Sequence, residues 1–169
     1  MGDREDFTEF VERRQVQLLR LCRALTGDEQ LGEDLAQATL HRLWARWVRV
    51  SSRGDPWAYA QRIAVSLAST WRRRQWRSEV ASSDVPESGH PAGDENVELT
   101  RATVARWLGT LSRKQRAVIV LRFLADRSVA DTADVLGCSA GTVKSQTAAA
   151  LRRLRTLAEL DRMSEEQMS

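Results

Sequence analysis

A stretch in the second half of the chain, DTADVLGCSAGTVKSQTAAALRRLR (Asp131 to Arg155), combines a tight corner with side chains that could bind nucleic acid. Gly137 can take the left-handed backbone conformation that ends one helix, and Ser139 can cap the next. Ala133 is small enough to let two helices cross closely, and Val143 can fill the crossing point. Residues of these types at these offsets predict a helix-turn-helix, although an ordinary antiparallel helix pair would give a similar pattern.

The second helix of this pair has two different faces. Its predicted buried side holds Val143, Thr147, Ala150, Leu151, Leu154 and Ala158, whereas Ser145, Ala148 and Arg152 point the other way. A recognition helix enters the major groove with its N-terminus first, where Gln146 can pair with an adenine edge and Lys144 with guanine or phosphate. Ser139 and Thr142, with the free N–H groups of the first turn, can bind a backbone phosphate. The pattern predicts DNA binding but fits any helix-turn-helix protein.

A second candidate for nucleic-acid binding is the strip WRRRQWR, from Trp71 to Arg77. Aromatic rings interleaved with arginines suit single-stranded nucleic acid, because bases stack on the rings and phosphates pair with the guanidinium groups. The basic end of a solvated helix, which complements the helix dipole, would have the same composition. The two interpretations stay open for this strip taken alone.

Apolar residues recur at helical spacing through the N-terminal half. The spacing predicts a first helix through Phe7 to Leu25, a second through Leu31 to Trp47, and a third that starts at Asp55-Pro56 and ends in the basic strip. Thr26-Gly27-Asp28 should end the first helix and supply the N-cap of the second. Ser51 to Gly54 is expected to be a loop.

Composition changes sharply from Ser78 to Glu98, where six acidic residues occur without any lysine or arginine, and large apolar residues almost vanish. Such a segment buries too little surface to offset the entropy lost on ordering. The sequence therefore predicts an all-α fold of two small helical domains joined by a flexible acidic linker. The expected boundaries are residues 1–77, a linker at 78–98, a second domain at 99–160 and a polar tail at 161–169.

The second domain is expected to pack around one central helix. Its first helix carries an apolar stripe of Val104, Trp107, Leu108 and Leu111. Ser112 and Gln115 form a capping-box pattern before RAVIVLRFL, a nearly all-apolar segment that should sit centrally. Ser128 and Asp131 suggest a further capped start, followed by the two helices of the helix-turn-helix. No segment has a strand pattern.

Bulk properties exclude several classes of protein. Cys22 and Cys138 lie in apolar helical patterns and are interpreted as small core residues, which fits a reducing, cytoplasmic location. No apolar run is long enough to span a membrane, and the acidic N-terminus does not resemble a signal peptide. His41 and His90 are isolated, and the sequence has no phosphate-binding loop, metal-spaced cluster or paired nucleophile and base. No enzymatic activity, metal or cofactor is expected.

With these motifs in chain order, the sequence resembles the extracytoplasmic-function (ECF) sigma factors, the small promoter-specificity subunits of bacterial RNA polymerase. LTGDEQLGEDLAQATLHRLWARW is similar to the family's polymerase-binding helix, and DPWAYAQRIAVSLASTWRRRQWR to its −10 reading helix. LSRKQRAVIVLRFLADRSVADTADVLGCSAGTVKSQTAAALRRLR is similar to its −35 reading domain. Within the family, the residues of these motifs are most similar to those of the actinobacterial SigE-like group.

The resemblance implies partners and residue roles. It implies binding to RNA polymerase core and promoter DNA, and it allows an anti-sigma factor as a further partner. The implied polymerase-binding residues are Asp34, Gln37 and Trp44, although Trp44 could instead be pure core. The implied −10 residues are Ser66, Thr70, Trp71, Arg73, Arg74 and Arg77. The implied −35 residues are Ser139, Thr142, Lys144, Ser145, Gln146, Arg152 and Arg153, with the two arginines acting on the DNA backbone or the polymerase.

The chain departs from the family's usual residues near DNA, at Val65-Ser66, Thr70 and Ser145-Gln146. The base preference of better-known relatives therefore does not transfer to it. Two alternatives from other classes also remain: a free-standing helix-turn-helix regulator that dimerises through its N-terminal helices, and a helical adaptor that does not touch DNA. The regulator predicts a palindromic site and binding without polymerase, and the adaptor predicts no steep dependence of binding on salt.

Overall fold

The computed structural model describes the backbone of residues 2–79 and 95–168, and the side chains of residues 2–71 and 101–168. Every regular element in these ranges is helical, which confirms the all-α class. The α-helices are α1 Asp3–Thr26, α2 Glu29–Trp44, α3 Trp47–Arg53, α4 Pro56–Glu79, α5 Glu95–Gly109, α6 Arg113–Ile119, α7 Val129–Leu136 and α8 Ala140–Met168. The chain divides into two compact units, Met1–Pro91 and Ala92–Ser169. Residues 80–94 of the predicted linker lie outside the described residues, and its two ends, residues 78–79 and 95–98, are helical as parts of α4 and α5.

The first unit is built on an antiparallel hairpin of α1 and α2. Gly27 ends α1 in the left-handed conformation, with φ of 72°, and its N–H bonds the Arg23 carbonyl. Asp28 then caps α2 by accepting a hydrogen bond from the Leu31 N–H at 2.7 Å. Thr26 braces the corner by donating its hydroxyl to the Asp28 carbonyl at 2.9 Å. The predicted stop and start signals are therefore confirmed, and the two-residue connection forces α2 back along α1.

The two helices approach most closely at Gly32, which is buried. A Cβ placed there would lie 2.7 Å from the Arg23 Cα and 2.9 Å from the Arg23 nitrogen, so no side chain fits. Arg23 also reaches across the corner, with its Nη2 at 3.0 Å from Glu29 and 2.9 Å from Glu33. The hairpin is thus fixed by backbone contact and flanking ion pairs at its closed end.

The open end of the hairpin carries a cluster of aromatic rings. Phe7 of α1 lies 4.9 Å from Trp44 and 5.0 Å from Trp47, measured between ring centroids. Phe10 lies 5.2 Å from Trp47. One turn further along α1, the Arg14 guanidinium stacks over Trp57 of α4 at 5.2 Å. Aromatic pairs such as those of Phe7 and Phe10 contribute about 0.5–1.5 kcal/mol each beyond the area they bury.

Two expectations for this region are wrong. The second helix does not continue to Trp47 but ends at Trp44, and the expected loop at Ser51 to Gly54 is helical up to Arg53. The bend at Ala45 and Arg46 lets Trp44 and Trp47 both contact Phe7, and Trp47 is almost fully buried as a result. No proline or glycine marks the bend, so tertiary packing overrides the helical periodicity.

Helix α4 closes the core of the first unit against α1 and α2. Asp55 caps it, accepting hydrogen bonds from the N–H groups of Trp57 and Ala58 at 2.9 and 3.2 Å, as the Asp-Pro signal predicts. The buried apolar residues are Leu18, Leu21, Cys22, Leu25, Leu35, Leu43, Trp47, Ala60, Ile63, Ala64 and Leu67. Burial raises the pKa of the Cys22 thiol to about 12, so it is an inert core residue at neutral pH.

The second unit packs α6 and α7 against α8. Ser112 and Gln115 form the predicted capping box at the start of α6, and Ser128 caps α7 by accepting from the Asp131 N–H at 3.0 Å. Arg116 is buried, and its Nε donates to the Leu108 carbonyl at 2.8 Å, which ties α6 to the end of α5.

The segment RAVIVLRFL is not a uniformly central helix. Residues Ala117 to Leu121 are buried as expected, but the last turn becomes π-helical over Val120–Leu124 and exposes Phe123 and Leu124. Asp126, in the connection to α7, has a positive φ of 52°. In the stripe expected on α5, Leu108 and Leu111 are buried, whereas Val104 is exposed.

The predicted polar tail continues α8 as far as Met168, and its first residue packs on α5. Asp161 accepts hydrogen bonds from the Arg106 guanidinium and from Trp107 Nε1, the latter at 2.8 Å. The Arg106 and Trp107 hydrogen bonds lower the pKa of Asp161. This contact therefore stabilises the unit above the ordinary carboxyl pKa and weakens as the pH falls through the lowered value.

No helix among the described residues is both long enough and apolar enough to cross a membrane.

We predict that Gly32→Ala destabilises the first unit by about 1–3 kcal/mol, because the new Cβ overlaps the Arg23 backbone. Alanine has the higher helix propensity, so an increase in stability of up to about 1 kcal/mol would contradict the close contact between α1 and α2 at this position. Urea unfolding followed by tryptophan fluorescence measures the difference. Gly54→Ala is the matched control, since its Cβ would meet nothing closer than 3.8 Å.

Candidate nucleic-acid interface

The corner between α7 and α8 has the geometry of a helix-turn-helix. Gly137 adopts the left-handed conformation, with φ of 64°, and its N–H bonds the Ala133 carbonyl. The Cys138 N–H bonds the same carbonyl at 3.1 Å. The role predicted for Gly137 is therefore confirmed, because a side chain at this φ would be strained.

The crossing point is filled as the spacing predicts. Val143 is completely buried and forms a cluster with Ala133 of α7 and Val118 of α6. Val129, Leu136 and Cys138 pack around the cluster, so Cys138 is a half-buried free thiol at its edge. Because three helices meet at Val143, this residue fixes the angle of α8 relative to α6 and α7.

The N-terminus of α8 is held by a small hydroxyl network. Ser139 Oγ accepts a hydrogen bond from the Thr142 N–H at 3.1 Å and lies 2.9 Å from the Thr142 hydroxyl. The Ser145 hydroxyl donates to the Thr142 carbonyl at 3.0 Å. The Thr142 N–H, expected to be free for a phosphate, is thus already bonded. The N–H groups of Ala140 and Gly141 have no acceptor within the helix and still point out of its N-terminus.

The outward face of α8, on the side opposite Val143 and Ala150, includes the exposed residues Lys144, Ser145, Ala148 and Arg152, and the exposed Gly141 and Arg155 lie on the same side. Ser139 is also exposed, and Thr142 is half-buried. Gln146 lies about 100° around the helix from Ser145, half-buried on the flank nearer the core. The centre of the outward face is therefore a nearly bare helix surface between Lys144 and Arg152.

The two arginines predicted to act together have different surroundings. The Arg153 Nε donates to the Thr110 carbonyl at 3.2 Å, which anchors this side chain to the end of α5. Arg152 lies on the outward face with Ser145 and Ala148. The structure thus separates Arg153 from the outward face on which it places Arg152.

The −10 candidates lie along the second half of α4. Ser66 and Thr70 are exposed one turn apart, with the Thr70 hydroxyl donating to the Ser66 carbonyl at 3.1 Å, and Trp71 is half-buried. Arg73, Arg74 and Arg77 belong to the last turns of α4, but their side chains lie outside the described residues.

The polymerase-binding candidates share the exposed side of α2. Asp34 and Gln37 are solvent-exposed, and the Gln30 amide lies 3.4 Å from Asp34. Trp44 is 45% exposed, so it is not a pure core residue. Its neighbour Phe7 carries no functional signal in the sequence, because an aromatic residue at helical spacing on α1 indicates only a core contact.

No group of three or more His, Cys, Asp or Glu residues in the described part of the chain is arranged to hold a metal ion.

Known proteins match both units. The family model described as sigma-70 region 2 matches residues 10–78, and that described as sigma-70 region 4 matches residues 107–156. An RNA polymerase sigma-E factor of Streptomyces coelicolor is 38% identical over 156 residues, which cover 92% of this chain and 87% of that protein. An ECF RNA polymerase sigma factor, SigL, of Mycobacterium tuberculosis is 36% identical over 151 residues, which cover 85% of this chain and 84% of that protein.

A solved structure is similar along most of the chain. The sigma factor RpoE of Bartonella quintana, in complex with the anti-sigma factor NepR, superposes with a TM-score of 0.76 at 27% identity. The match covers 93% of this chain and 99% of that one.

We predict that two glycines of the interface respond oppositely to alanine. Gly137→Ala should destabilise the second unit by about 1–2 kcal/mol, because it forces a Cβ into the left-handed conformation. Gly141→Ala should stabilise it by up to about 1 kcal/mol, because the position is helical and the nearest atom to its Cβ, Ser139 Oγ, is 3.7 Å away. Thermal unfolding of the full chain measures both changes, and equal effects would contradict the turn geometry.

Proposed function

The chain belongs to the ECF sigma factors of the sigma-70 family and is a promoter-specificity subunit that directs RNA polymerase to promoter DNA; from this premise we propose which faces bind which partner. We assign the outward face of α8 to the −35 element, the exposed face of α4 to the −10 element and the exposed side of α2 to core polymerase. The observation that carries the −35 assignment is the bare, capped start of α8, held at a fixed angle by the buried Val143.

At the −35 element, the unbonded N–H groups of Ala140 and Gly141 and the hydroxyls of Ser139 and Thr142 supply donors for a DNA phosphate. Lys144, Ser145 and Arg152 then face the groove, and the missing bulk at Gly141 and Ala148 lets the helix approach closely. Gln146 reaches a base edge from the flank. Arg153, anchored to Thr110, contacts the DNA backbone or the polymerase.

At the −10 element, the proposed surface is the exposed face of Ser66 and Thr70, extended towards Trp71 and the arginines Arg73, Arg74 and Arg77. Aromatic and guanidinium groups in series bind the unpaired strand by stacking and by charge. Polymerase is proposed to bind Asp34, Gln37 and Trp44, which share one exposed side of a helix whose other face is core.

The domain assignment that accompanies these roles is a region 2-like domain at 1–77, a linker at 78–98, a region 4-like domain at 99–160 and a tail at 161–169. Sigma factors are non-enzymatic regulatory subunits, and we propose that this chain has no catalytic activity of its own and acts in the cytoplasm. Because RpoE was solved with an anti-sigma factor, regulation by such a partner is part of the proposal.

The free-standing dimeric regulator is not favoured. That alternative uses the N-terminal helices only for dimerisation, whereas residues 10–78 match sigma-70 region 2. The order of the two matched regions along one chain is that of a sigma factor.

For the −35 face, Lys144→Ala should weaken holoenzyme binding to many promoters by a similar factor and flatten the salt slope by about one unit, as loss of a phosphate contact does. Gln146→Ala should cost about 1–3 kcal/mol on the preferred −35 sequence and relax the choice of one base. The measurement is binding to promoters with single-base changes in the −35 element. Lys114→Ala and Gln167→Ala remove the same groups from other exposed positions and are the controls.

If Gln146→Ala lowers binding to all promoters equally while Lys144→Ala changes base preference, the two roles are reversed. If neither variant differs from its control and the melting temperature is unchanged, the face that reads the −35 element lies elsewhere.

For polymerase, Asp34→Ala and Gln37→Ala should each raise the dissociation constant for core polymerase by about 2- to 10-fold, the effect of one exposed polar contact. Both residues are exposed, so the melting temperature should not change. Fluorescence anisotropy of labelled protein titrated with core polymerase measures the affinity. Gln15→Ala, at an exposed position of α1, is the control, and normal affinity of both α2 variants would contradict the docking assignment.

A further inference from the structure

The first turns of α1, Asp3 to Glu9, lie outside the segment that matches sigma-70 region 2, which begins at residue 10. They are nevertheless well-formed helix. The Gly2 N–H donates to the Glu5 carboxylate at 3.3 Å, and Asp3, Glu5 and Asp6 place negative charge in the first turn. Negative charge stabilises this end of a helix because the N-terminus carries the positive end of the dipole.

One residue of these turns, Phe7, lies on the side of the unit that is proposed to bind polymerase. Phe7 lies 4.9 Å from Trp44 with the ring planes tilted by 55°, and 5.0 Å from Trp47 with the planes at 78°. Among the described side chains, Phe7 is the aromatic residue paired with Trp44. Phe10, one turn further along, is paired with Trp47 and Phe7 instead.

The position of Trp44 leaves its side chain only partly restrained by the fold. It is the last residue of α2, the chain bends directly after it, and nearly half of its surface is exposed. An exposed indole at a helix end samples several rotamers, and ordering such a side chain on binding costs about 0.5–1.5 kcal/mol. A ring packed against it in the free protein removes part of that cost in advance.

We propose that Phe7 is a positioning residue for polymerase binding: it holds the Trp44 indole in the orientation in which it meets the polymerase. The proposal rests on the proposed role of Trp44 in docking. It extends the docking surface to a segment before the matched region and gives the N-terminal turns of α1 a function other than stability.

The test compares two substitutions that each remove one ring from the same cluster. Phe7→Leu should raise the dissociation constant for core polymerase by about 3- to 10-fold, the size of one aromatic pair. Phe10→Leu, which leaves the Phe7–Trp44 pair in place, should change it less than about twofold, within the scatter of a neutral change. Phe7→Tyr keeps the ring and should bind like the unmodified protein. Melting temperatures are measured alongside, and Phe7→Met replaces Phe7→Leu if the latter is unfolded at the assay temperature.

A second comparison places Phe7→Leu in a Trp44→Leu background. If Phe7 acts through Trp44, it should cause no further loss there. A full additional loss, or equal losses from Phe7→Leu and Phe10→Leu, would overturn the proposal. If Trp44→Leu weakens binding and Phe7→Leu does not, only the positioning role fails. If Trp44→Leu itself leaves the affinity unchanged, the docking role of Trp44 fails, and the positioning role fails with it.

Discussion

The first unit depends on the close antiparallel contact of α1 with α2, which is possible only because position 32 has no side chain. A two-residue connection makes the two helices run antiparallel, but it does not fix the register of one helix against the other. Gly32 against Arg23 fixes that register at the closed end. The same register then brings Phe7 of α1 beside Trp44 and Trp47 at the open end. A single close crossing therefore determines both the core and the exposed side of α2.

In the second unit, the packing of the helices is fixed by a buried side chain and a left-handed glycine. The helix proposed to read DNA, α8, must be held at one angle, since a wrongly aimed helix cannot enter the major groove. Val143 is buried against Ala133 and Val118, and Gly137 supplies the left-handed corner between them. The side chains at this crossing are buried, while the outward face of α8 is exposed. The proposed DNA-binding face and the buried side of α8 are therefore opposite each other, so substitutions can separate binding from folding.

Much of the local structure is predictable because capping is a short-range effect. Asp28, Asp55, Ser112 and Ser128 each accept a hydrogen bond from a backbone N–H two or three residues on, as their sequence context predicts. Errors occur where packing overrides a local pattern. The bend after Trp44 has no glycine or proline, and the exposed end of RAVIVLRFL follows from a π-helical turn that apolar composition does not encode.

The sequence by itself determined the helical class, the starts of the capped helices, the helix-turn-helix corner and, through its motifs, the sigma-factor family. These depend on residues within a few positions of one another or on the order of motifs along the chain. Only the tertiary structure decided that Trp44 is half-exposed under Phe7, that Arg153 is anchored to Thr110 while Arg152 faces outward, and that Asp161 binds α5. Each of these contacts joins residues that are at least 37 positions apart in the sequence, the separation of Phe7 and Trp44 (44 − 7 = 37). Periodicity indicates which face of a helix is apolar, but it does not indicate which distant side chain covers that face.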